Sequence, residues 1–283
     1  MRWTRTGPAV AAAALLLALA GCTSGGTGGQ PTRPPGSGDT APSSSTSPGS
    51  GARWQPTPGT SWQWQLSGTV DTGVDAAVYD IDGFDTSAAV VAALHAKGRK
   101  VICYVNAGAY EDFRPDRSAY PASLLGSGNG WQGERWLDIR RLDTLRPILG
   151  RRFDLCRSKG FDAVEPDNVD GYQNDSGFPL TAADQLAFNR MVAGLAHARG
   201  LAVGLKNDLD QVPQLVGDFD FAVNEQCAEY RECDQLTPFV ERGKAVFEAE
   251  YNLPTTAFCP QARRLGFSAL RKHLALDAWR QAC

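Results

Sequence analysis

The chain has 283 residues, enough for one large or two small domains with a sizeable core. Its 42% apolar and 21% charged residues are those of an ordinary globular protein, and 28 basic against 31 acidic residues leave a net charge of −3. That balance excludes a basic nucleic-acid binder, so no nucleic-acid partner is expected.

Residues 1–21 begin with Arg2 and Arg5, continue as an alanine- and leucine-rich run from Ala9 to Ala20, and end in Leu19-Ala20-Gly21 before Cys22. A basic start, a short apolar run and small residues at a cleavage point describe a secretory signal, too short to persist as a membrane span. Cys22 after Leu-Ala-Gly resembles a bacterial lipobox. That resemblance implies lipidation of Cys22 and an extracellular protein held to the outer face of the membrane by the lipid alone. A secretory peptide with an unmodified cysteine is the alternative. From Thr23 to Arg53, 25 of 31 residues are Gly, Pro, Ser or Thr, and none is Val, Ile, Leu or aromatic. Residues 22–53 therefore read as a disordered tether, with a reach on the order of 30 Å. The folded domain is expected over residues 54–283. Setting aside Arg2, Arg5, Arg33, Arg53 and Asp39 takes the charge from −3 to −6, so this domain is acidic.

Within the domain, β-rich runs are expected at Trp62–Leu66, Ala76–Ile81, Lys100–Val105, Arg135–Ile139, Phe161–Glu165, Leu201–Leu205, Phe219–Asn224 and Lys244–Glu250. Helical periodicity fills Thr86–Lys97, Leu142–Lys159 and Thr181–Arg199, each closing on a basic residue before Gly98, Gly160 or Gly200. Strands alternating with helices predict an α/β fold, and eight strands predict a (β/α)8 TIM-like barrel as a single folded domain. An open doubly wound sheet is the alternative, without a G-x-G-x-x-G to recommend it. Six cysteines besides Cys22 suit an exported chain with three disulfides. Six cysteines allow 15 connectivities; the expected choice among them pairs Cys227 with Cys233 in a short loop and Cys259 with Cys283, which leaves Cys103 with Cys156. No Cys-x-x-Cys or clustered histidine suggests a metal, and no cofactor is expected.

Barrels of this type place reacting groups at the C-terminal ends of strands. By alternation, Asp80 and Asp82 share one side of their strand, Tyr104 and Asn106 of the next, and Ala163, Glu165 and Asp167 of another. Lys206 ends a fourth strand, and Glu248 and Glu250 share a side of a fifth. Charges at the ends of apolar strands converge only where a wet cleft or charged ligand accepts them. An acidic cleft with one lysine suits a cationic substrate, or a carboxylate pair doing acid/base work. No G-x-S-x-G elbow or Walker loop occurs, which leaves two-carboxylate chemistry, most commonly cleavage of a glycosidic bond.

The runs Trp62-Gln63-Trp64-Gln65-Leu66-Ser67-Gly68, Tyr79-Asp80-Ile81-Asp82, Ile102-Cys103-Tyr104-Val105-Asn106-Ala107-Gly108, Trp136-Leu137-Asp138-Ile139, Glu165-Pro166-Asp167-Asn168-Val169-Asp170-Gly171 and Asn224-Glu225-Gln226-Cys227 resemble the glycoside hydrolase 114 family, the endo-α-1,4-polygalactosaminidases. The resemblance implies a TIM-like barrel that cuts α-1,4-linked galactosamine polymers with an Asp and a Glu, here Asp167 and Glu225. Asp167 is then the nucleophile, or the base in an inverting enzyme, and Glu225 the general acid. Strict alternation from Phe219, Phe221 and Val223 turns Glu225 outward, so a bend after Asn224 is expected. Asp80, Asp82, Asn106, Asp138, Glu165, Asp170 and Glu248 or Glu250 are expected to bind sugar hydroxyls and amines, with Lys206 paired to Asp167. Tyr104, Tyr172 and Trp131 are stacking candidates. The implied partner is a cationic amino-sugar polysaccharide, met by a monomer. A lipid-anchored polysaccharide-binding protein without turnover and a glycosidase for another α-linked polymer are the alternatives.

Overall fold

The computed structural model describes residues 53–283; the expected signal, Cys22 and nearly all of the tether lie outside the described residues. Among the described residues, twelve strands and seven α-helices follow in chain order. The strands are β1 (Trp62–Gln65), β2 (Val78–Asp82), β3 (Lys100–Asn106), β4 (Ala109–Glu111), β5 (Leu125–Gly128), β6 (Glu134–Leu137), β7 (Ala163–Asp167), β8 (Ala202–Lys206), β9 (Phe221–Glu225), β10 (Val246–Glu250), β11 (Ser268–Lys272) and β12 (Arg280–Ala282). The helices are α1 (Ala88–Ala96), α2 (Leu142–Lys159), α3 (Ala182–His197), α4 (Val212–Leu215), α5 (Cys227–Tyr230), α6 (Thr237–Glu241) and α7 (Thr255–Leu265).

The main sheet runs β1-β2-β3-β7-β8-β9-β10-β11-β12, parallel through β11, with β12 antiparallel at its end. It curls until the C-terminal segment meets β1. Trp62 Nε1 donates to the Ser268 carbonyl at 2.8 Å, Gln63 Nε2 to that of Ala278 at 2.8 Å, and the Leu66 N–H to that of Leu276 at 2.9 Å. This is the expected α/β TIM-like barrel, nearly closed, with one strand reassigned. The expected strand at Arg135–Ile139 does not join the barrel. It appears as β6, which pairs antiparallel with β4 and β5 in a small sheet inserted between β3 and β7. β3 pairs directly with β7, and the eighth parallel strand is β11 beside β10, whose Arg271 and Lys272 mask its strand character.

Two apolar layers hold the barrel. The outer one lies between strands and helices and includes Ile81, Val101, Val105, Leu149, Phe153 and Val203. The inner one fills the barrel with Trp62, Trp64, Val78, Ile102, Ala163, Ala202, Phe221, Val223, Phe247, Ala249 and Leu270. Trp62 packs on Phe247 at 5.0 Å between centroids, and Phe247 meets Phe221 edge-on at 5.7 Å. Each such ring contributes roughly 1.5–3 kcal/mol by leaving water. Phe221 requires Gly204 as its neighbour across β8 and β9, because a Cβ there would lie 2.4 Å from its ring.

Helix ends follow local chemistry. Ser87 caps α1 through the Val90 N–H, and Thr181 and Asp184 close a capping box on α3. Gly160, left-handed at φ +92°, ends α2. The three disulfides join Cys103 to Cys156, Cys227 to Cys233 and Cys259 to Cys283, the expected pairs. The first pins β3 to α2, and the second closes the loop that follows β9.

Candidate active site

The inner layer sets the facing of every strand end. Val78 leads in steps of two to Asp80 and Asp82, Ile102 to Tyr104 and Asn106, Ala163 to Glu165 and Asp167, and Ala202 to Lys206. Phe221 and Val223 also belong to that layer, so the next step, Glu225, faces inward with no bend. The outward turn expected for Glu225 does not occur, because Phe221 and Val223 fill the barrel instead of facing the helices and Glu225 shares their side.

Lys206 is the hub of the cleft. Its Nζ lies 2.9 Å from Asp167 Oδ1, 3.2 Å from Glu225 Oε2, 3.3 Å from Glu165 Oε1 and 4.9 Å from the centroid of the Trp64 ring. Asp167 also accepts from the Tyr104 hydroxyl at 2.8 Å and from the Asn168 N–H at 2.8 Å. Glu225 accepts from the Tyr251 hydroxyl and from Asn207 Nδ2 at 3.4 Å. Asn207 Oδ1 in turn accepts from the Glu225 N–H at 3.0 Å, which fixes the strand end.

The backbone turns sharply after each of these three side chains. Asn168, Asn207 and Gln226, the residues next after Asp167, Lys206 and Glu225, are left-handed at φ 60°, 49° and 64°. Such conformations cost on the order of 1–3 kcal/mol in non-glycine residues and gather at functional sites. Asparagine carries the cost most easily, because its amide bonds locally. Here the Asn168 amide donates to Asn106 Oδ1 at 3.1 Å, and Gly108 leaves room for the turn, since a Cβ on it would sit 1.7 Å from the Asn168 carbonyl oxygen.

These contacts separate the carboxyl groups by protonation. Burial pushes the Asp167 carboxyl up, but the Lys206 ammonium, the Tyr104 hydroxyl and the Asn168 N–H outweigh it and hold Asp167 below the ordinary carboxylate range. Burial and the adjacent Glu165 push the Asp80 carboxyl well above that range, and burial raises Glu165 as well. Lys206 stays charged: burial opposes it, but Asp167, Glu225 and Glu165 raise it well above the ordinary lysine value. Burial and neighbouring Asp167 push Asp170 to about 6.

Not every expected substrate-binding residue is free to bind substrate. Asp80 is fully buried beneath Glu165. Asp82 is clamped by Arg114 and caps the Phe84 and Asp85 N–H groups, and Asp138 is held by Arg140 at 2.7 Å beyond β6. Glu248 and Glu250 are not in the cleft. On β10 it is Phe247 and Ala249 that face inward, so both glutamates lie on the outer side beneath the Cys227–Cys233 loop, where Glu250 accepts from the Ala228 N–H at 2.8 Å. The inward step from Ala249 is Tyr251, which the sequence reading passed over. Asn168, Asn207 and Trp64 also belong to the cleft, while Tyr172 lies to one side, accepting from Gln173 at 2.7 Å.

The sequence profile of glycoside-hydrolase family GH114 matches residues 43–283. The chain belongs to that family. It is a glycoside hydrolase, and its fold is similar to that of solved enzymes. Ega3 of Aspergillus fumigatus, solved in complex with galactosamine, is 43% identical with a TM-score of 0.78, over 82% of this chain and 98% of that one. The glycoside hydrolase domain of PelA from Pseudomonas aeruginosa has a TM-score of 0.62 at 14% identity, over 80% of this chain and 98% of that one, a likeness of fold. A Deinococcus radiodurans protein is 31% identical over 155 residues, 49% of this chain and 49% of its own length.

Proposed function

We propose that this glycoside hydrolase cleaves α-1,4-linked galactosamine polymers, with Asp167 as nucleophile and Glu225 as acid and then base. The observation that carries the reading is the shared ammonium of Lys206, at 2.9 Å from one carboxylate and 3.2 Å from the other. Two oxygens on one ammonium at those distances lie within about 6 Å of each other, which puts both carboxyl groups within reach of one glycosidic bond. The likeness to Ega3, solved with galactosamine, supports the sugar.

Asp167 attacks the anomeric carbon as the glycosidic C–O bond breaks, and Glu225 gives its proton to the departing oxygen. The sugar is then an ester of Asp167. Water attacks the same carbon, Glu225 takes the water's proton, and the C–O bond to Asp167 breaks, restoring both groups. Lys206 holds Asp167 ionised, and Tyr104 keeps its carboxylate oriented. The net charge of the pair is the same before and after each step, so the buried lysine never faces an uncompensated site.

The test is release of new reducing ends from partly deacetylated α-1,4-galactosamine polymer by the full chain. Product from wild type but not from Asp167→Asn or Glu225→Gln is expected; binding without product from wild type overturns the reading in favour of a non-catalytic polysaccharide binder. Cleavage confined to a neutral α-linked polymer overturns the choice of sugar. The leader sequence supports a further part of the proposal: lipidation at Cys22 and anchoring on the outer face of the membrane. Labelled fatty acid should enter the wild-type chain in its cell and not the Cys22→Ser variant.

A further inference from the structure

Carboxylates at and around the cleft divide by whether a cation answers them. Lys206 serves Asp167, Glu165 and Glu225; Arg114 serves Asp82 and Glu111; Arg140 serves Asp138. Glu134, at the start of β6, has none among the described residues. Its Oε2 accepts two amide donors, Asn129 Nδ2 at 2.8 Å and Asn106 Nδ2 at 3.1 Å, while Oε1 has no protein donor. Asn106 is fully buried and stands beside Asp167 in the strand register, so a short polar chain runs from the nucleophile to Glu134.

The neighbouring groups make this half-buried charge costly. Glu111 stands directly opposite Glu134 across β4 and β6, and like charges in that position repel. Arg114 and Arg152 both turn to Glu111, at 2.8 and 3.0 Å, and leave Glu134 alone. The titratable groups facing it are Glu111 from β4, Asp167 from β7 and Tyr104 from β3. A protein seldom maintains such a charge unpaired unless a ligand supplies the partner. At the other end of the same turn Trp131 is 57% exposed, its N–H fixed on Asn129 Oδ1 at 3.1 Å and its carbonyl receiving the Glu134 N–H at 3.2 Å.

We infer that the inserted sheet carries a sugar subsite in which the Glu134 carboxylate binds the ammonium group of a deacetylated amino-sugar and Trp131 supplies the apolar face for its ring. The inference rests on the amino-sugar polymer reading above and names a residue that discriminates among such polymers. An N-acetylated sugar offers Glu134 an amide in place of a cation and forfeits the charge-assisted bond. The negative face of an indole adds attraction for the same ammonium. Burial, then Glu111 and Asp167, push the Glu134 carboxyl up to about 6 against the two amides, so the discrimination fades as pH falls through that value.

Equilibrium titration in an Asp167→Asn background of the full chain, where turnover does not disturb binding, compares α-1,4-galactosamine oligomers with N-acetylated oligomers of equal length. At pH 7.5 Glu134→Gln is expected to weaken the amine form about tenfold and leave the acetylated form unchanged, with the gap closing at pH 5. Trp131→Ala is expected to weaken both forms. Equal weakening of both forms by Glu134→Gln, or no weakening, overturns the inference. Acetylation-dependent loss with a wild-type chain that releases no reducing ends keeps the subsite and refutes the catalytic reading; no binding of either oligomer refutes both.

Discussion

Lys206→Met is the substitution that tests the site most directly. Methionine keeps the length of the stem over the Trp64 ring and removes the charge from a position only 3% exposed. Three carboxylates within 3.3 Å of the ammonium then lose their common partner. Breaking a buried ion cluster from one side costs about 3–5 kcal/mol. At about 2–4 °C per kcal/mol for a domain of this size, Tm falls by about 6–20 °C. The carboxylates relieve their repulsion by taking up protons, and a protonated Asp167 is no nucleophile, so kcat at pH 5 falls by about 10²–10³ and recovers in part as pH rises. In wild type, the lowered carboxyl of Asp167 contributes stability above the ordinary carboxylate value, and that contribution is lost as pH falls through its lowered value. The variant lacks this dependence. Calorimetric Tm and reducing-end release across pH 4–9 read both effects. A variant with the wild-type Tm and an unmoved acidic limb would refute the role given to Lys206.

Tyr251→Phe removes the hydroxyl that donates to Glu225 while keeping the ring in the barrel; kcat should fall about tenfold with Tm nearly unchanged, and an unchanged kcat would remove Tyr251 from the site. The disulfides should rank by loop length: alanine replacement of Cys103 and Cys156, 53 residues apart, should cost about 4 kcal/mol in denaturant titration, and of Cys227 and Cys233, 6 apart, about 2. Burial and the adjacent Glu250 push Glu248 up to about 8, so the folded chain holds a proton that the unfolded chain releases near 4, and stability falls as pH rises between those values. Glu248→Gln should therefore be more stable than wild type at pH 8.5, by a few kcal/mol, with the advantage gone at pH 4; equal stability at both pH values would show that the carboxyl is solvated.

Helices were largely legible because their signals are local, whereas of the disulfides only Cys227–Cys233 closes a short loop and Cys103–Cys156 is the pair that remains. Capping residues at Ser87 and Thr181 and a glycine stop at Gly160 mark the helix ends, and α2 matches its expected range. Strand identity was harder. Arg135–Ile139 carries the β-rich composition of a strand, but composition does not say which sheet a strand joins, and β6 is found in the small antiparallel sheet and not in the barrel. Glu134 went unnoticed for a related reason: its significance is the missing cation, and only the structure shows which arginines turn to Glu111 instead.

The facing of the barrel strands posed a different problem. A strand buried on both sides, as β8, β10 and most of β9 are, offers apolar residues at odd and even positions alike, so hydrophobicity cannot tell the interior from the helix side. That ambiguity sent Glu248 and Glu250 to the cleft and Glu225 away from it. Size carries the information that polarity lacks. The inner layer is narrow, so a large ring on one strand needs a very small residue beside it, and a glycine within an apolar strand marks such a close approach. Gly204 in β8 is that mark. It admits Phe221, which is therefore interior, and two steps along β9 bring Val223 and then Glu225 to the rim beside Lys206, itself two steps beyond Gly204. The packing that fills the barrel thus also aligns the carboxylate with its lysine, and Gly204→Ala should displace Phe221 and lower activity from a position that touches neither.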